Sequence, residues 1–269
     1  MISTVTHPGD HSRQNEDWVG TTDHLAVVLD GLSAPEGVGG CEHGTPWYVN
    51  ELGHELLVQA ADPTTPLRDA LRESITQTAL KHTSTCDLTH GGTPSATVAI
   101  ARIGHTTLDA LVLADSPVVV DTETSGIDVL VDHRVDELFQ SEREDVLAAQ
   151  PGPEKVARLA TLVRAQRKIR NTPEGYWIAG SNPAAADHAL EKSWPVKDVV
   201  RFAAMSDGVS CLTELYEDTS WAGLLDLADQ GVEAVLARVR QVEASDPEGV
   251  RWPRYKPGDD AALAYGRLG

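Results

Sequence analysis

Two hydrophobic runs in this sequence end on the same dipeptide. "VVLDG" carries Val27 to Leu29 into Asp30 and Gly31, and "FAAMSDG" carries Phe202 to Met205 through Ser206 into Asp207 and Gly208. Other acids stand at comparable places: Asp115 closes "LDALVLAD", Asp259 opens the strand-like "DDAALAYG", and Glu16 and Asp17 sit in "QNEDW". A carboxylate at a strand end is held on rigid backbone yet can face a cleft. One such acid is usually a turn residue, and Asp-Gly is itself a favoured turn dipeptide. Several together are harder to explain as turns. Like charges that converge in a cleft repel unless cations neutralise them, and hard divalent ions with oxygen ligands, Mg²⁺ or Mn²⁺, do this. A glycine after each aspartate lets backbone approach the ion, and the Gly31 carbonyl is a further candidate ligand. Carboxylates holding two metals about 3.5–4 Å apart suit hydrolysis at phosphorus with a metal-activated water as nucleophile. No G-x-S-x-G elbow offers a serine alternative.

Other residues invite chemistry less strongly. Ser95 and His90, near "GGTPS", lack an evident partner acid and fit core and turn roles. His133 in "VDHR" and His43 in "CEHG" are candidate general acids. The same "CEHG" sets Cys41 and His43 two apart, but without a second such pair no zinc site is expected. The three cysteines, Cys41, Cys86 and Cys211, form no C-x-x-C pair, and a reducing cytoplasm is the expected compartment.

The bulk composition narrows the partners. The chain has 269 residues and a net charge of −19, with Lys+Arg 22 against Asp+Glu 41. That balance repels nucleic acid. The first residues lack the basic start and apolar stretch of a signal peptide, and no apolar run is long enough to cross a membrane.

The acids need elements to position them. Strands are expected at Leu25–Asp30, Ala96–Ile103, Thr107–Asp115, Val118–Asp121, Ile127–Asp132, Val199–Ser206 and Ala261–Tyr265, from their apolar runs and β-branched residues. Apolar residues three and four apart predict helices at Trp47–Ala61, Pro66–Thr85, Val135–Ala149, Pro153–Arg170 and Ser220–Val242, with Pro153 as an entry signal and Thr219 or Ser220 as a cap. Grouped strands and grouped helices point to an α+β fold of antiparallel sheets with helices outside. The Pro/Gly/Asn-rich stretch Asn171 to Leu190 reads as a loop lying on the surface.

In their order along the chain these motifs resemble the metal-dependent protein phosphatases of type 2C, the PPM family. "NED" (Asn15 to Asp17) and "VVLDG" are similar to the first two acidic motifs. "GGTPSATVAIA", "LADSPVVVD" and "VDHRVDE" resemble the middle segments, and "MSDGVS" and "GDDAALAY" the last two metal motifs. The resemblance implies a single domain over 1–269, an αββα sandwich of two antiparallel sheets, with a flap around 134–190. It implies two Mn²⁺ or Mg²⁺ ions: Asp30 would bridge them, Asp207 and Asp259 would complete one, and Glu16 and the Gly31 carbonyl would serve the other. Asp17 would orient the water, and Asp115 would belong to a third, weaker site. The implied activity is hydrolysis of phosphoserine or phosphothreonine on proteins, with a partner kinase expected from family habit.

Some positions depart from the family pattern. Met/His-Gly-Gly-His is replaced by the longer "DGLSAPEGVGGCEHG". Ser12 stands at the usual position of the phosphate-binding arginine, with Arg13 displaced by one. Ala114 and Pro117 replace Gly and Arg, and Cys211 replaces a further Asp. A thiol is a poor ligand for Mg²⁺ or Mn²⁺, so the third site is doubtful. The alternative function is a catalytically weak PPM-like module that binds a phosphorylated or regulatory protein.

Overall fold

The period-two alternation of the strands decides the layering. The structure, a computed structural model, describes residues 1–32, 39–150 and 152–269. In β3 (Leu25–Gly31) the side chains of Leu25, Val27 and Leu29 join one apolar cluster, while Ala26 and Val28 join another. In β10 (Ala261–Arg267) Ala261, Leu263 and Tyr265 face a third cluster, and Ala262 and Ala264 return to the one shared with Ala26 and Val28. That shared cluster is the layer between two sheets, and its many alanines and valines let the sheets approach closely.

Among the described residues each sheet has five strands, and all strand pairings within the sheets are antiparallel. One sheet runs β1 (Ile2–His7), β10, β9 (Val199–Met205), β6 (Val118–Thr122), β7 (Gly126–Leu130). The other runs β2 (Asp17–Thr21), β3, β4 (Ala96–Ile103), β5 (Thr107–Leu113), β8 (Leu190–Pro195). Helices α1 (Thr45–Gln59) and α2 (Leu67–His82) cover the second sheet through Leu52, Leu56, Leu71 and Ile75. Helices α6 (Asp207–Glu214), α7 (Trp221–Asp229) and α8 (Val232–Ser245) cover the first. Each fully buried Leu or Ile in these layers stabilises the fold by roughly 1.5–3 kcal/mol. The expected αββα sandwich is what the chain forms. Among the described residues no helix is long and apolar enough to cross a membrane.

Several expected elements differ. Val135–Ala149 is two short helices, α3 (Arg134–Leu138) and α4 (Gln140–Leu147), because Phe139 leaves helical geometry at φ −122° and buries its ring. Ser220–Val242 is broken at Gly231, whose φ of 132° suits glycine and ends the run; Ser220 does cap α7, accepting from the Gly223 N–H at 3.2 Å. Pro153 opens α5 (Pro153–Ile169) as expected. The stretch after α5 is packed rather than loose: Trp177, Ile178, Ala179, Ala185 and Ala186 are buried, and Ala179 bridges to Ala96. Strands β1, β2 and β8 and helix α6 were not expected.

Candidate metal centre

The acidic cluster grows out of one cross-strand pair. Asp17 opens β2 and stands directly opposite Asp30 on β3, whose other neighbour is Thr97 on β4. Asp30 continues the row Ala26, Val28 and so points toward the opposing sheet at the edge of the inter-sheet layer. From that opposing sheet β9 delivers Ser206 and Asp207, and the turn into β10 delivers Asp259 and Asp260. Asp207 hydrogen-bonds Asp30, and Ser206 hydrogen-bonds Asp17 while its Oγ accepts the Ala262 N–H at 2.9 Å. Asp115 follows β5 on the strained residue Ala114, whose φ is 69°.

The electrostatics match a cluster waiting for cations. Burial first, then neighbouring aspartates, hold Asp17 and Asp30 well above the usual carboxylate range. Burial and Asp207 push Asp259 up to about 6, although Lys256 pairs with it. Asp115 and Asp207 are raised as well, chiefly by burial. The buried Oδ2 of Asp17 has no hydrogen-bond partner. An all-oxygen donor set with an orphaned buried carboxylate oxygen fits hard divalent ions. Asp17, Asp30, Asp207 and Asp259 would hold them, with Asp115 beside Asp207.

The two Asp-Gly dipeptides have a local cause. A Cβ on Gly31 would meet the Glu16 carbonyl oxygen at 2.5 Å, and one on Gly208 would meet the Asp260 carbonyl oxygen at 1.9 Å. Neither glycine has positive φ. Each is required because the backbone next to another acid passes against it: Glu16 precedes Asp17, and Asp260 follows Asp259. The Gly31 N–H also donates to the Glu16 carbonyl at 3.1 Å.

Asp260 was not singled out from the sequence, though the doubled acid in "GDDAAL" marks it. Its carboxylate accepts from the Gly9 N–H at 2.8 Å and the Glu16 N–H at 2.7 Å. It therefore fixes the segment that carries Glu16 and Asp17. Asn15 assists by accepting from the Asp17 N–H at 2.9 Å.

The remaining candidates fall elsewhere. Arg13 is exposed and lies beside Asp10. A different guanidinium, Arg143 on α4, acts on Asp115 and pairs with Asp136. Cys211 donates its thiol to the Gly208 carbonyl at 3.2 Å, and burial pushes that thiol well above its ordinary range. Ser95 Oγ is buried and accepts from Arg170 at 2.7 Å, a core role. His133 lies 3.8 Å from Glu214. His43 belongs to a separate group with Cys41, His82 and Cys86, which corrects the expectation that no matching His and Cys set exists. Positions 33–38 of the lengthened segment after Gly31 lie outside the described residues.

Two antiparallel sheets that bring carboxylates together at one end of their shared layer define an αββα protein of the PPM class. The chain belongs to the protein phosphatase 2C family, whose model matches residues 11–244. No curated protein matches it. Among solved structures it is similar to the serine/threonine phosphatase PstP/Ppp of Mycobacterium tuberculosis, with 14% identity and a TM-score of 0.62 over 100% of this chain and 98% of that one. It is similar to Stp1 of Staphylococcus aureus, with 13% identity and a TM-score of 0.61 over 100% and 94%. It is also similar to a PstP catalytic domain in complex with two manganese ions, with 14% identity and a TM-score of 0.56 over 98% and 96%. At such identities the likeness is one of fold.

Proposed function

We propose that this protein is a metal-dependent phosphatase that hydrolyses phosphoserine and phosphothreonine on proteins. The observation that carries the reading is the opposed pair Asp17 and Asp30, with the orphaned Asp17 Oδ2, inside a group of like-charged buried acids. Asp30, Asp207, Asp259, Glu16 and the Gly31 carbonyl would hold the two ions, and Asp17 would orient the water. Two bound Mn²⁺ or Mg²⁺ ions supply an activated water and offset charge on the phosphoryl oxygens. The manganese pair in the PstP catalytic domain supports two ions here.

The chain's own contribution is position. β3 holds the Asp30 backbone between β2 and β4, which fixes the point from which its carboxylate projects. The Asp260 bonds to Gly9 and Glu16 keep Asp17 opposite it. Lys256, beside Asp259, balances part of the negative charge before cations enter. Arg13 or Arg143 receives the substrate phosphate. Helices α3 to α5 pack through Phe139, Val146 and Leu162 around Ala114, beside Asp115, and serve as the flap on the substrate side. The setting is the cytoplasm, opposite a protein kinase.

The departures at Pro117 and Cys211 and the exposure of Arg13 favour a second reading, a weakly catalytic module that binds phosphoproteins. Hydrolysis of p-nitrophenyl phosphate and of a phosphothreonine peptide, with Mn²⁺ and with EDTA, separates the two. Turnover only with metal supports the enzyme; peptide binding without turnover supports the module.

A further inference from the structure

We propose that Cys41, His43, His82 and Cys86 form a second metal site, a structural one that takes zinc. The group is outside the acidic cluster and has different chemistry. Cys41 and His43 precede α1, His82 is the last residue of α2, and Cys86 lies in the turn that follows. One ligand atom from each lies within 4.8 Å of all the others. The contacts are tighter than that bound. Cys41 Sγ is 3.5 Å from His43 Nδ1 and 3.4 Å from His82 Nδ1; Cys86 Sγ is 3.3 Å from Cys41 Sγ and 3.3 Å from His43 Nδ1. Zinc with Zn–S near 2.3 Å and Zn–N near 2.0–2.1 Å has tetrahedral edges of about 3.3–3.8 Å. The four donors thus stand close to the corners of a Cys₂His₂ tetrahedron, and two sulfurs with two imidazoles are a donor set that suits zinc rather than Mg²⁺ or Mn²⁺.

The surroundings agree. Trp47 stacks on His43 with centroids 4.3 Å apart and tilts against His82 at 5.0 Å, giving the group an aromatic wall. The His43 N–H donates to Cys41 Sγ at 3.4 Å, a bond that steadies a ligating sulfur. Burial, then the neighbouring His43, lowers His82 from its ordinary value. Burial alone would raise the Cys86 thiol, but hydrogen bonds with Thr85, the Glu42 backbone, Cys41 and His43 bring it down to about 7. On binding, both thiols release their protons to solvent as the zinc–sulfur bonds form, and the rings bind as neutral imidazoles through Nδ1.

The site has a structural purpose. The Asp87 N–H donates to the Gly40 carbonyl at 2.7 Å, so one hydrogen bond already joins the entry to α1 with the exit from α2. Zinc would lock that junction.

The test is the metal content of the untagged full chain, purified with Mn²⁺ in the buffer. Elemental analysis should find one zinc per chain in the wild type, in Asp30→Ala and in Cys211→Ala, and none in Cys41→Ser or His82→Gln. Should the last two fail to fold, Co²⁺ titrated into zinc-free wild type should give the visible bands and sulfur-to-cobalt absorption of tetrahedral thiolate ligation. Zinc that follows Asp30 rather than Cys41 would overturn the proposal. So would a wild type that binds neither zinc nor Co²⁺ at sulfur, whether its thiols are free or joined as a Cys41–Cys86 disulfide, two hydrogens lighter by mass.

Discussion

Gly208 lies so close to Asp260 that a single added methyl would sit 1.9 Å from the Asp260 carbonyl oxygen. The contact joins the first turn of α6, which carries Asp207, to the turn that carries Asp259. Gly208→Ala must separate them. It should cost about 1–3 kcal/mol of stability, as overpacking does, and weaken Mn²⁺ binding by moving Asp207 away from Asp259. Urea unfolding and a metal titration check both; an unchanged metal affinity would mean that the contact serves packing alone.

Asp30→Ala removes the carboxylate that faces both Asp17 and Asp207. Phosphopeptide hydrolysis at saturating Mn²⁺ should fall at least about a hundredfold. The metal-free protein should nevertheless fold, because one member of a repelling group is gone. A near wild-type rate would leave Asp30 with only a structural role at the end of β3.

The raised carboxyls make stability depend on pH in a defined direction. Asp259 moves from an ordinary 3.8 to about 6 in the fold. The native state therefore keeps a proton that the unfolded chain has released across that window. Its contribution to stability is most favourable below the lower value and declines as pH rises through the upper one. In EDTA, the thermal midpoint of wild type relative to Asp259→Asn should drop between about pH 4 and pH 6. Mn²⁺ should reverse the drop most strongly at neutral pH. A difference that grows with pH would contradict the assignment.

Arg13 and Arg143 compete for one role. The guanidinium that holds substrate phosphate should, on change to alanine, raise KM more than it lowers kcat. Arg143 lies beside Asp115, whereas Arg13 is exposed, so the larger KM effect is expected for Arg143→Ala. Cys211→Ala should change neither constant by more than about twofold, since a thiol is a poor ligand for these ions.

What the sequence made legible follows from burial. β3, β4, β9 and β10 are buried on both faces and read as largely apolar runs, interrupted by Arg102 in β4 and Arg201 in β9. The acids that end such runs could therefore be located. β8 escaped because it is an edge strand in which only Trp194 is buried. Helix α6 escaped because its eight residues open with the Asp-Gly that also marks turns. Asp260 could not be told from Asp259 without knowing which of the two turns toward Glu16. The zinc quartet could not be read because its halves are separated by both α1 and α2 and meet only when those helices pack side by side.

The two hydrogen bonds of Asp260 also set an order of events in synthesis. Glu16 leaves the ribosome 244 residues before Asp260, and Gly9 leaves it 251 residues before. β1 likewise waits for β10 before it has a sheet to join. A nascent chain can pack α1 and α2 on β3 and β4 while translation continues, yet Asp17 and Asp30 lack Asp207 and Asp259 opposite them throughout. The acidic cluster can therefore close only after the turn into β10 has been made, and a chain that stops before that turn lacks both Asp259 and the Asp260 bonds that seat Glu16.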